Sequence, residues 1–164
     1  MDAPGLGRRA DRPLAYVGFG TVPMYRDAPG LDALLDALLA AGTDVLCTGP
    51  RHPAARDRIR VERFVSLPAC ALVVRHGGVG TTLAALTHGL PVVLLPRGAR
   101  SRLRMTRACA ARGVAAVVDG TDPTAAIRTA LTGEHARHAA ELARELAAAP
   151  EPAQVVETLE RGLG

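Results

Sequence analysis

The sequence predicts an α/β fold: an open, doubly wound, Rossmann-like parallel sheet of about six strands with helices on both faces. Three observations carry that expectation. Short apolar runs alternate along the chain with stretches of helical periodicity. Later runs such as Ala71-Leu72-Val73-Val74 are continuous rather than alternating, as strands buried on both faces are. Gly and Pro punctuate many of the junctions between the two kinds of segment.

Leu14 to Phe19 is a short apolar run ending at Gly20, a first strand and its turn. Leu31 to Ala41 has apolar residues at 31, 34, 35, 38 and 39, the spacing of an amphipathic helix, and Gly42 stops it. Asp44 to Thr48 is a second strand. Pro50 and Pro53 bracket a loop, and Ile59 to Val65 alternates apolar and charged residues as a third strand. Ala71 to Val74 is a buried strand, followed by glycines and a helix from Gly80 to Thr87. Pro91 to Leu95 is the next buried strand, Ser101 to Arg112 a helix closed by Gly113, and Val114 to Val118 a sixth strand. Asp122-Pro123 reads as a helix start, with Asp as the cap and Pro at the first helical position, and that helix runs to Thr132. Glu134 to Ala148 and Ala153 to Arg161 are two closing helices. Residues 1–13, rich in Gly, Pro and Arg, are expected to be a flexible segment ahead of one domain over 14–164.

Composition narrows the function classes. The apolar content is almost all Ala, Val and Leu, with no Trp, two Tyr and two Phe. Small aliphatics suit helices packed closely on a sheet and argue against a module that stacks bases on aromatic platforms. All 20 basic residues are Arg. With the Ala richness this looks like an actinobacterial coding bias, which removes most of the functional weight from the net charge of +4; no nucleic-acid partner is expected. Cys47, Cys70 and Cys109 are odd in number and widely spaced, as reduced structural thiols of a cytoplasmic protein are. No apolar run reaches the ~20 residues that span a bilayer, and no membrane partner is expected.

Ligands of such sheets bind beyond the carboxyl ends of the strands, which picks out Gly18 to Pro23, Ser66 to Cys70, and Arg75 to Thr82. The last of these carries chemistry. Val73-Val74-Arg75-His76-Gly77-Gly78-Val79-Gly80-Thr81-Thr82 is strand, glycine turn, helix start. Glycines let amide N–H groups approach a ligand without side-chain clash, and the helix end adds free N–H groups and a positive dipole. Thr81 and Thr82 are expected to add hydroxyl donors. Phosphate or diphosphate is the natural guest. The spacing is neither the dinucleotide fingerprint nor a P-loop. His52, His88, His135 and His138 are expected on loops or solvated helix faces.

His76-Gly77-Gly78-Val79-Gly80-Thr81, then Ala85, then His88-Gly89-Leu90-Pro91 and a buried strand ending at Pro96, resembles the C-terminal, donor-binding domain of bacterial GT-B glycosyltransferases. The closest likeness is to enzymes that attach deoxysugars to macrolide, aromatic polyketide, enediyne or glycopeptide antibiotics. Tyr16 to Thr21 and Pro152 to Glu157 extend the resemblance over nearly the whole chain. It implies that His76 contacts the phosphate and ribose of the donor, and that Gly77, Gly78, Gly80 and Thr81 hold the diphosphate. Thr21 would face the diphosphate too, and Phe64 and Val65 would frame the base. No metal and no cofactor are implied, because amides and a helix end neutralise the leaving diphosphate.

Three departures from the family pattern bear on function. The acceptor-binding domain, which usually supplies the general base, has no counterpart here, so no residue of this chain is a catalytic candidate. The acidic-Gln pair expected after Pro96 is replaced by a stretch with four arginines, Arg97, Arg100, Arg102 and Arg104. The segment from Phe64 to Ala71 is shorter than the family's by about one helical turn. The resemblance therefore implies the donor half of an inverting, metal-independent glycosyltransferase using dTDP- or UDP-sugars, completed by a partner acceptor domain. The alternative is a non-catalytic relic or auxiliary subunit that docks to a partner protein. An apolar face left by the missing domain would favour a homodimer.

Overall fold

The computed structural model describes residues 12–19, 30–48, 57–62, 65–96, 100–150 and 152–162. Most of the expected N-terminal segment, and the positions Thr21 and Phe64, lie outside the described residues. In chain order the elements are β1 (Leu14–Gly18), α1 (Gly30–Ala40), β2 (Asp44–Thr48), β3 (Ile59–Val61), β4 (Leu72–Arg75), α2 (Val79–Thr87), β5 (Val92–Leu94), α3 (Arg100–Ala111), β6 (Ala115–Val117), α4 (Thr124–Leu131), α5 (Glu134–Ala147) and α6 (Pro152–Gly162). The six strands form one sheet in the order β3-β2-β1-β4-β5-β6, and every neighbouring pair is parallel. The doubly wound sheet predicted from sequence is present.

The two faces of the sheet are covered differently, and period-2 alternation decides which residue faces which layer. Ala15 and Val17 of β1, with Val45, Leu72, Val74 and Val93, meet Leu34, Leu35 and Leu38 of α1 and Ala126, Ile127 and Ala130 of α4. On the opposite face Tyr16, Val73, Val92 and Leu94 meet Ala85 and Leu86 of α2, Cys109 of α3 and Ala139 of α5. All three cysteines are buried free thiols, and burial pushes Cys47 and Cys70 up to about 11, where they stay protonated.

Glycine ends the helices that feed strands. Gly42, Gly89 and Gly113 all have positive φ. Each closes the same pair of bonds: the glycine N–H donates three residues back, and the next N–H donates to the fifth carbonyl back. The pairs are Gly42 to Leu39 and Thr43 to Leu38, Gly89 to Leu86 and Leu90 to Ala85, and Gly113 to Ala110 and Val114 to Cys109. This satisfies the orphan carbonyls and turns the chain straight into β2, β5 and β6. Arg58, also at positive φ, donates to Leu39 O at 3.4 Å and Thr43 O at 2.7 Å and pairs with Asp44 at 3.2 Å. It ties the end of α1 to the start of β2.

Three expectations need correction. β3 covers Ile59–Val61, pairing with β2 as far as Cys47–Val61; Glu62 already lies outside the strand, and Arg63 and Phe64 of the expected run lie outside the described residues. The Asp122 carboxylate accepts the Thr124 N–H at 2.9 Å, but α4 starts at Thr124 with Pro123 in the cap position, its carbonyl accepting the first intrahelical bond from the Ile127 N–H at 3.0 Å. His138 is not merely solvated: its Nδ1 lies 3.2 Å from Gly113 O, and its ring occupies the space a Cβ on Gly113 would need. Among the described residues between β3 and β4 there is a single 3-10 turn, Leu67–Ala69, and no α-helix. Among the described residues no helix is long and apolar enough to cross a membrane.

Candidate functional site at the end of the central strands

β1 and β4 are neighbours at the centre of the sheet, and the chain leaves them toward opposite sides. A crevice opens beyond their carboxyl ends, as it does at the switch point of any doubly wound sheet. β4 leads into His76-Gly77-Gly78, and α2 starts directly after them. Gly77 has φ of +84° and is pressed against α3: a Cβ there would stand 3.1 Å from Thr106 Oγ1 and 3.2 Å from Arg102 O. Both facts require glycine. A Cβ on Gly78 would stand 2.8 Å from His76 Nε2. Gly80 differs, for a Cβ there would meet nothing within 4 Å. Its small size leaves open space outside the first turn of α2.

No side chain caps α2. Its first intrahelical bond runs from Thr82 N to Gly78 O at 3.3 Å, so the amides of Val79, Gly80 and Thr81 precede it and face the crevice end of the helix. The Thr82 hydroxyl donates to the same Gly78 carbonyl at 2.6 Å and the residue is fully buried. Thr82 therefore stiffens the turn and does not offer its proton to a ligand, contrary to expectation. Thr81 is half-buried and lines a cleft of ≈ 310 Å³. Tyr16 and Thr48 form the polar wall of that cleft, and Val65, Leu67 and Ala84 the apolar one, with Gly80 at its edge.

Of the predicted residues, Gly80, Thr81 and, across the cleft, Val65 line this cleft; His76, Gly77 and Gly78 lead into α2 and are not among its lining residues, His76 and Gly77 being buried. His76 is 5% exposed, with its ring centroid 6.4 Å from that of Phe19. Burial, then the positive charges of Arg75 and Arg102, hold its imidazole down to about 4. At neutral pH the ring is uncharged, one nitrogen carrying a proton and the other a lone pair.

Tyr16 and Thr48 join the site only in the folded chain, with Arg75 buried beside them. The Tyr16 hydroxyl lies 2.7 Å from Thr48 Oγ1. Its ring lies along β1 over Gly18, where a Cβ would come within 2.6 Å of the ring carbon that bears the hydroxyl. Two signals in the sequence point to this: a glycine two residues after a tyrosine on the same strand face, and an arginine closing an otherwise apolar strand.

Residues 45–161 match the family model for the erythromycin biosynthesis protein CIII-like, C-terminal domain. The elloramycin glycosyltransferase of Streptomyces olivaceus is 35% identical over 100% of this chain and 45% of its own length. The spinosyn forosaminyltransferase superimposes with a TM-score of 0.79 over 92% of this chain and 43% of that one, at 22% identity. The glycosyltransferase of Streptomyces sp. SF2575, solved with thymidine diphosphate, gives 0.71 at 30% identity over 92% of this chain and 41% of its own. The chain spans under half the length of each of these relatives.

Proposed function

This chain belongs to the erythromycin biosynthesis protein CIII-like, C-terminal domain family, and from that premise we propose that it binds the nucleoside diphosphate sugar donor of a natural-product glycosyltransferase. The observation that carries the reading is the start of α2, with uncapped amides and an unobstructed Gly80 beside a neutral, buried His76. A diphosphate is the ligand such a helix end accepts, with a positive dipole and N–H donors and no competing carboxylate cap. The relative solved with thymidine diphosphate supports dTDP as the first nucleotide to try, with UDP second.

The reaction is displacement of the nucleoside diphosphate from the anomeric carbon by an acceptor hydroxyl. His76, Gly77, Gly78, Gly80 and Thr81 stabilise the charge that develops on the leaving group. Val65, which lines the cleft, would flank the base, and Thr21 and Phe64 complete the set on the grounds of resemblance. The general base and the acceptor pocket belong to a separate acceptor-binding domain. Val155, Val156 and Leu159 on α6 are exposed, an apolar face suited to that domain or to a second copy of the chain. Buried free thiols and an all-Arg basic complement are in keeping with a cytoplasmic, actinobacterial protein.

Thermal unfolding against dTDP, UDP, GDP and ADP at millimolar concentration tests this. A ligand at 100 times its Kd adds about 2.7 kcal/mol to the folded state, so dTDP or UDP is expected to raise Tm selectively. Equal shifts with all four, or none, would remove the donor-binding reading and favour the auxiliary subunit that docks to a partner.

A further inference from the structure

Arg75 is the last residue of β4 and is 7% exposed. Its guanidinium sits beside the Tyr16 phenol, and its Nη2 would be 3.7 Å from a Cβ on Gly78. Its Nε has no hydrogen-bond partner, and among the described residues no carboxylate pairs with it. A buried cation without a counter-charge is costly to a fold. Here it stands directly behind the uncapped helix end and the glycine loop. The fold thus carries a buried positive charge, with no carboxylate partner among the described residues, beside the glycine loop.

The same charge fixes the direction of a hydrogen-bond chain. A guanidinium only donates, so Arg75 beside the phenol favours the Tyr16 oxygen accepting on that side and donating its proton to Thr48 Oγ1, 2.7 Å away. Thr48 then has its own proton left for the cleft that both hydroxyls line. Reversed, the chain would point a proton at a cation. The cleft is left with donors on both sides, α2 amides on one and the Thr48 hydroxyl on the other. It has a fixed positive charge behind them.

We propose that Arg75 is a specificity-determining residue of this site, which through Tyr16 and Thr48 makes the cleft select ligands by the charge of their phosphate group. The inference rests on the reading of the glycine loop as a phosphate site and adds which side chains set its selectivity. The ligand class is a nucleoside diphosphate, its diphosphate rather than its nucleoside supplying most of the discrimination.

Calorimetric titration of the full chain with dTDP, dTMP, thymidine and inorganic pyrophosphate, in the wild type, Arg75→Met and Thr48→Val, tests it. Arg75→Met is expected to weaken dTDP and pyrophosphate at least about tenfold, as the loss of a charged hydrogen-bonding group does. dTMP should lose less, and thymidine binding should stay within about twofold. The Tm of unliganded Arg75→Met should equal or exceed that of the wild type, because an isosteric apolar residue replaces an uncompensated buried charge. Thr48→Val should follow the same ranking more weakly. Thymidine and dTDP weakened equally would overturn the inference, since that is loss of packing rather than of charge; so would no change in either. If Arg75→Met does not fold, Thr48→Val and Tyr16→Phe decide: dTDP must lose affinity relative to thymidine. A wild type that binds pyrophosphate in an Arg75-dependent way but neither dTDP nor UDP would sink the donor reading and leave this inference standing. A wild type that binds none of the four ligands would overturn both.

Discussion

His76 sits where its ring cannot hold a proton at neutral pH, because it is buried and because Arg75 and Arg102 both repel the imidazolium. That has a consequence for stability whose sign is fixed. The ordinary value of 6.5 is lowered to about 4 in the fold. Above 6.5 the ring is neutral in both states and contributes nothing. As pH falls from 6.5 toward 4 the unfolded chain takes up the proton first, and the folded state loses stability; below 4 the loss levels off. A His76→Gln variant is therefore expected to lose less stability than the wild type over that window, read as Tm against pH. In Arg75→Met the His76 titration, followed by its ring proton resonances, should move upward. Equal acid sensitivity of His76→Gln and wild type would mean that the ring is not desolvated as described. Tyr16 and Arg75 also mark the limit of legibility at this scale. In sequence they read as part of one apolar strand and as the residue that ends another, and only their proximity at the carboxyl end of the assembled sheet brings them beside the cleft.

Elements were legible where their signals are local. α1 is set by a stripe of Leu34, Leu35 and Leu38 and stopped by Gly42, all readable from spacing, and β2 runs over Asp44–Thr48 as its composition predicts. β3 is shorter than its alternating pattern predicts, Glu62 already lying outside it, since the length of an edge strand is set by pairing that no local pattern reports. The Thr82 hydroxyl was misjudged for a similar reason: at the fourth residue of α2 it lies over the Gly78 carbonyl and donates there. α2 also separates structure from function. Gly77 is demanded by the fold, whereas Gly80 has nothing to clash with. Gly80→Ala should keep or raise Tm, since Ala in a helix is favoured by roughly 0.5–1 kcal/mol over Gly. The same change puts a methyl group where the ligand approaches, and should weaken dTDP about tenfold, or ~1.4 kcal/mol. Loss of Tm together with affinity would show that Gly80 serves packing instead.

At the scale of the molecule, one topological fact gathers the site. Strand order 3-2-1-4-5-6 puts β1 beside β4, so the ends of two segments some 60 residues apart in the sequence open onto one crevice. β2 adds Thr48 from the other side of β1, and the loop after β3 adds Val65. Residues 76–82 alone predict a phosphate-binding glycine loop, and the strand, glycine turn and helix start they predict are present. The polar wall of the cleft is not readable in that way, because Tyr16 and Thr48 come together only once the sheet is assembled. A titration of the isotope-labelled chain with dTDP, followed by backbone amide resonances, would decide whether the loop is the nucleotide site. The largest shifts are expected at Gly77, Gly78, Gly80 and Thr81, with smaller ones at Thr48 and Val65 and none on α6. Shifts scattered over exposed arginines, or confined to α6, with the loop amides unmoved, would contradict it.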